Sequence, residues 1–279
     1  MNKLKVLLVS SIVVAAVAAH ARDQAYLSRL DLSGGNTSVT ETGVALPPIG
    51  LKSFMWNNSF SQQFWVSDVR RYSAFRWAPG FIKPLNELSS FLFFMPHSWG
   101  AEDKSQQFSQ DSLYSAIIAN VTLKPEKDSP WNWSFGILAF DKTNRNRIFP
   151  IAGFNYTSAD KTWRVNFGYP NVGVVYLGRP GAEYALYFSR ESGKVLLQNG
   201  DPQFPDAKFL DENLNILGVS AKFELSTIWR LTLKAGTTFS SKFEYLNSSY
   251  DHIGVYRDHS GENFVAVSLA VDGTPPKYR

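Results

Sequence analysis

The sequence contains no cysteine. That absence excludes disulfides, a thiolate nucleophile, a cysteine-ligated metal and a lipid anchor attached through an N-terminal cysteine. Beyond the leader there is also no run of the roughly 18 successive apolar residues that a spanning helix needs. The densest stretch, Phe91-Leu92-Phe93-Phe94-Met95, is stopped by Pro96. Histidine is scarce, with four in all. His20 belongs to the leader, and His97, His252 and His259 show no ligand spacing, so neither a metal nor a cofactor is expected.

Met1-Asn2-Lys3-Leu4-Lys5 is a short basic start, Val6 to Ala19 is apolar, and Ala19-His20-Ala21 fits a small-x-small cleavage site. Residues 1–21 therefore read as a secretory signal peptide, and the mature chain leaves the cytoplasm. Removing Lys3 and Lys5 with it leaves 26 basic against 24 acidic side chains. No basic stripe stands out, which disfavours a nucleic-acid partner. The remaining length, about 258 residues, is common for one all-β domain.

What is present is alternation. From Leu217 the odd positions are Leu217, Val219, Ala221, Phe223 and Leu225, against Gly218, Ser220, Lys222 and Glu224. After Ser226-Thr227 the pattern resumes with Trp229, Leu231, Leu233, Ala235 and Phe239 against Arg230, Thr232, Lys234 and Ser240. A period of two means strands, here an antiparallel hairpin with one apolar and one polar face. Each strand supplies the roughly 9–11 residues that a tilted strand needs to cross a bilayer.

The same grammar gives about 12 strands (10–14) between Ala25 and Val271. Residues 22–50 read as an N-terminal arm with one possible strand, and 51–279 as the β domain. Ser67 to Pro84, with its arginines, Pro79 and Gly80, reads as a loop. Strand directions counted back from Val271 and forward from Leu113 disagree somewhere between Tyr169 and Asn199. One segment there is expected to be a bulge, a helix or a loop.

Three short turns lead at once into tryptophan: Trp131 (with Trp133 two residues on), Trp163 and Trp229. Tryptophan suits a site that is apolar on one side and wet on the other, as at a membrane interface. Phe140, Phe243 and Tyr245, beside longer polar loops, read as a second girdle. Short turns at one end and long loops at the other fit an outer-membrane barrel. A secreted soluble β-sandwich would show the same alternation with its faces inverted.

Phe149-Pro150-Ile151-Ala152-Gly153-Phe154-Asn155-Tyr156, then Trp163 to Asn171, then Val174-Val175-Tyr176 resemble the core of bacterial outer-membrane β-barrels grouped as domain of unknown function 6268. The resemblance covers about residues 51–271. It implies an antiparallel up-and-down transmembrane β-barrel in the outer membrane of a Gram-negative bacterium, with outer-membrane lipid and the barrel-assembly machinery as partners. It carries over no catalytic residues.

On the polar face lie Arg164, Lys222, Arg230 and Lys234, with Glu224 as their acidic companion. These residues predict a mildly cationic lumen in a pore, a transporter or an envelope scaffold. The enzymatic alternative is a lipid-modifying hydrolase with a serine and a histidine base. His97-Ser98 and Asp258-His259-Ser260 offer the atoms, but adjacent side chains on an extended chain point apart, so neither is a dyad in itself. The expectation is a barrel that is not an enzyme.

Overall fold

The computed structural model describes residues 23–33, 37–51, 53–67, 70–141, 147–168 and 171–272. The expected signal peptide, 1–21, lies outside them. The first strands are β1 (Asp23–Leu32), β2 (Thr37–Leu51), β3 (Phe54–Val66), β4 (Arg71–Asn86), β5 (Ser89–Phe94) and β6 (His97–Ala101). After a single 3₁₀ turn at Lys104–Gln106 come β7 (Leu113–Leu123), β8 (Trp131–Phe140), β9 (Arg147–Thr157), β10 (Trp163–Gly168) and β11 (Asn171–Arg179). The last are β12 (Ala182–Leu196), β13 (Phe209–Glu224), β14 (Trp229–Thr238), β15 (Lys242–Leu246), β16 (His252–Asp258) and β17 (Asn263–Asp272).

These strands form one antiparallel sheet that closes on itself, because β1 pairs with β2 on one side and with β17 on the other. Closure leaves the barrel wall itself without an edge strand open to aggregation. Three staves are each built from two strands. β5 and β6 both lie between β4 and β7, interrupted at Met95-Pro96. β14 and β15 both line β13, while β16 and β17 continue on their far side. The barrel thus has 14 staves.

The two staves beyond the expected 12 are β2 and β4. Within the expected arm 22–50, Asp23–Leu32 and Thr37–Leu51 are accordingly part of the barrel wall, and Arg71–Pro84 of the expected loop 67–84 is strand. Pro47-Pro48 is taken up by a register shift between Leu46 and Ile49, the bulge by which a stave tolerates residues that cannot donate. The directions of all staves agree, because the chain reverses between Gly168 and Asn171 and β10 and β11 are separate strands. β12 is unbroken from Ala182 to Leu196.

Burial follows the same parity around the wall. Outward positions are apolar and exposed, among them Trp163 at 46%, Leu233 at 41% and Val265 at 52%. Inward positions include Ser28, Glu41, Gln63 and Arg230, all buried. This is the reverse of a water-soluble fold, and it makes a soluble sandwich untenable.

The long-loop end is not open. β11 stops pairing at Asn171, opposite Ser189, whereas β12 and β13 run on together to Leu196 and Phe209. Joined by β15 and β16, they bend inward as a four-stranded sheet, and Leu196 pairs in parallel with Ala101 of β6 on the opposite wall. One face of this plug packs Leu210, Leu214 and Phe243 against Leu30, Val39 and Trp65 of the barrel wall. The other face packs Leu196, Phe209 and Leu246 against Ala101. Two residues with positive φ make the corner: Ser240 (φ 45°) between β14 and β15, and Gly261 (φ 82°) between β16 and β17.

Candidate functional site

The inner wall is the candidate site. Near the short-turn end Glu183 of β12 faces Lys222 of β13, and Glu224 faces Arg230 of β14. Arg164 of β10 reaches Glu183 at 3.9 Å. Four of the five expected lumen residues therefore join Glu183 in one belt that alternates in sign, since opposed positions on neighbouring strands bring side chains within contact. Lys234 lies a layer higher, with Nζ 5.5 Å from the Tyr187 ring. There it shares the interior with Glu41, Arg76 and Glu191. The Tyr26 hydroxyl donates to Glu41 Oε1 at 2.9 Å.

This inventory adds acids to the expected basic set. Along the described inward positions, Arg76, Arg164, Lys222, Arg230 and Lys234 are matched by Glu41, Glu183, Glu191, Glu212 and Glu224. Glu191 and Glu212 lie on the strand extensions of the plug, which also carry the buried Lys194 and its cross-strand neighbour Asp211, so the even formal count is that of wall and plug together. Arg76 and Glu41 went unseen because β2 and β4 were not recognised as strands.

The tryptophans at the short-turn end stand outside, with Trp131 and Trp229 near 40% exposed. Each of the three turns is closed in the same way: a serine hydroxyl accepts the tryptophan backbone N–H. The pairs are Ser129 to Trp131 at 3.1 Å, Ser158 to Trp163 at 2.9 Å and Ser226 to Trp229 at 3.1 Å. Serine suits a turn for this reason. Trp133, at 40% exposure, stacks at 6.0 Å on Trp131.

The expected second girdle is corrected. Phe140 has the inward parity of β8 and packs with Ile118 and Leu138. Phe243 and Tyr245 are buried in the plug at 2% and 1% exposure, because the corner at Ser240 switches the facing parity between β14 and β15. Aromatic rings on the outer wall at the long-loop end instead include Phe75, Trp77, Trp99 and Phe108, with Phe64, Phe167 and Phe239 exposed beside them. Phe75 lies 5.9 Å from Trp99 and 5.5 Å from Phe108. Phe75 and Trp77 alternate in sequence, a signal hidden inside the supposed loop.

Polar contacts tie the plug to the rim. Arg70, between β3 and β4, reaches Glu102 Oε1 at 2.6 Å and Asp201 Oδ2 at 3.8 Å. It also donates to the Tyr245 hydroxyl at 3.3 Å, and that hydroxyl donates to Asp201 at 2.8 Å. The Gln203 backbone N–H, then the Tyr245 hydroxyl and the Arg70 charge hold the Asp201 carboxyl below its ordinary range. Lys208 of the plug's loop meets Asp111 of the rim at 2.8 Å.

Neither serine–histidine pair considered in the sequence forms a dyad. His97 Nδ1 lies 2.8 Å from the hydroxyl of Ser115, its cross-strand partner on the lipid-facing wall, and not beside Ser98. His259 is buried at the corner, 3.1 Å from Glu262, while Ser260 accepts the Ser241 N–H. Among the described residues no three potential ligands gather for a metal.

No known family's sequence profile matches the chain, and no curated protein matches it. Among solved structures it is similar to the NanC porin, with 11% identity over 89% of this chain and 99% of that one, at a TM-score of 0.45. It is also similar to the KdgM porin, with 9% identity over 90% and 98% and a TM-score of 0.40. LpxR from Salmonella typhimurium shows 8% identity over 89% and 99%, again with a TM-score of 0.40. At such identities the function rests on this chain's own residues.

Proposed function

We propose that the protein is a transport barrel of the bacterial outer membrane that rests closed. One observation carries this reading: a barrel that is apolar outside and charged inside has its mouth filled by its own strand extensions. Charged groups along the inner wall are what a conduit for polar solutes would present. Short turns at one end and long loops at the other support a periplasmic and an external side, respectively. Outer-membrane lipid and the barrel-assembly machinery are the partners such a fold requires. With five charges of each sign at inward positions of wall and plug together, the current through an open channel is expected to be weakly selective. The test is heat-modifiable migration from the membrane fraction, followed by conductance of the purified protein in planar bilayers. Absence from the membrane fraction, or a folded protein that never conducts under any condition, overturns the reading.

A second reading has its own observation. Ser115 and His97, 2.8 Å apart on the lipid-facing wall, hold the two groups a lipid acyl hydrolase would use. Lipid analysis of a Ser115→Ala strain separates the two: accumulation of an acylated lipid supports hydrolysis, and an unchanged profile removes it.

A further inference from the structure

The two faces of the plug are held very differently. Toward β1–β4 it is part of a buried apolar cluster of 15 residues. Toward β6 the apolar cluster numbers four, Ala101, Leu196, Phe209 and Leu246. The rest of that seam is polar: the Glu102 N–H to the Leu196 carbonyl at 3.0 Å, the Gln198 N–H to the Glu102 carboxylate at 3.1 Å, and the Arg70–Asp201 and Lys208–Asp111 ion pairs. A cleft of about 600 Å³, lined by Ser109 and Asp111 of the rim and by Gln198 and Lys208 of the plug, runs along it. Contacts of this kind exchange readily with water, while the apolar face does not.

The corner is built to bend. At Ser240 and Gly261 the backbone leaves the wall, and side chains take over part of the ladder. The Asn215 N–H donates to Ser241 Oγ at 2.8 Å, and the Ser241 N–H to Ser260 Oγ at 2.9 Å. Beyond it Arg190–Leu196 extends past the rim of β11. Seven residues at ~3.3 Å each give a reach of about 23 Å, which brings Leu196 to the opposite wall.

We propose that this sheet is the gate of the barrel, that it opens at the seam with β6, and that Arg70 is its latch. The inference rests on the transport reading and gives that reading its regulation. When Arg70, held in place on the rim by Glu102, lets go of Asp201 of the plug, the plug swings about the Ser240–Gly261 corner with its apolar face still covered, and the path between the plug and the β6–β9 wall opens.

The absence of cysteine makes the test clean. Ala101→Cys with Leu196→Cys places two thiols at directly paired positions of adjacent strands. The ~4.8 Å spacing of such strands lies within the roughly 4.4–6.8 Å that a disulfide bridges. Purified and reconstituted, the double variant is expected to conduct in reductant and to lose at least about tenfold of its open events on oxidation. Arg70→Ala, which contains no new thiol, is expected to raise the frequency of opening severalfold over the native protein. Conduction that oxidation leaves unchanged overturns the gate while the transport reading stands. Folded protein that is silent when oxidised, when reduced and in Arg70→Ala overturns both.

Discussion

Tyr26 lies flat across Gly43, its partner on the neighbouring strand, so that a Cβ at Gly43 would meet ring carbons at 2.3 Å. The ring's hydroxyl is held by Glu41, itself buried inside the barrel. Gly43→Ala must therefore displace the ring and break the bond to a buried carboxylate. A loss of about 1–3 kcal/mol is expected, as for other overpacked sites, measured by urea unfolding in vesicles. Combining it with Tyr26→Leu should cost less than the sum of the single changes, because the clash is gone.

Leu233 faces outward and Thr232 inward on the same strand. If lipid is the neighbour of the outer face, Leu233→Arg near mid-strand costs roughly 2–4 kcal/mol, whereas Thr232→Arg in the lumen costs under about 1 kcal/mol. Equal costs at the two positions would mean that the outer face does not meet lipid.

Much of the wall could be read because lipid imposes a local rule. From Leu217 to Leu225 and from Trp229 to Ala235 every second residue is apolar, whatever lies across the barrel, and the outward Trp163 and Trp229 are placed by the turn immediately before them. That rule fails where a stave is not regular. Pro79 and Gly80 in β4 look like a loop, yet each pairs with β3, opposite Asn58 and Asn57. The plug obeys no local rule at all. Leu210, Leu214, Phe243 and Tyr245 alternate like lipid-facing residues, and only the contact between Ala101 and Leu196, far apart in sequence, shows that they face inward. The lumen charges were placed on the correct face by parity, but the acids Glu41, Glu183, Glu191 and Glu212 were missed, because the short alternating runs do not include them.

Acidity acts on the corner through His259. Its ring is buried, edge-on to Phe243 at 4.5 Å, with Nδ1 3.1 Å from Glu262. Burial pushes its pKa below the ordinary imidazole value; Glu262 and Asp258 oppose this shift and Arg257 adds to it. As pH falls through ~6.5, an imidazole freed by opening of the corner takes up a proton that the buried one does not. The stability of the closed corner is therefore complete above about 6.5, declines below it, and stops declining once the buried ring protonates. Hydrogen exchange of Ser241 and Glu262 amides should accelerate, beyond the intrinsic pH effect, between pH 7.5 and 5. His259→Asn should remove that dependence. A native protein whose protection is flat over this range would remove His259 as the cause.

The belt near the short turns makes a prediction about both stability and current. Lys222 faces Glu183, and on the next pair Glu224 faces Arg230. Lys222→Glu sets a carboxylate directly opposite Glu183, an arrangement that costs about 0.2–1 kcal/mol relative to a neutral pair, and it makes one of the two bases flanking Glu183 acidic. The lumen then carries a net negative charge, so the reversal potential in a potassium chloride gradient should move toward cation preference. Lys222→Glu with Glu183→Lys keeps the composition and only inverts the pair. It should restore the weak selectivity of the native barrel but only part of its stability, because Glu183→Lys takes from Arg164 its acidic partner. If the single change shifts stability but leaves the reversal potential where it was, the belt is a structural ladder and the conducting path runs elsewhere in the interior.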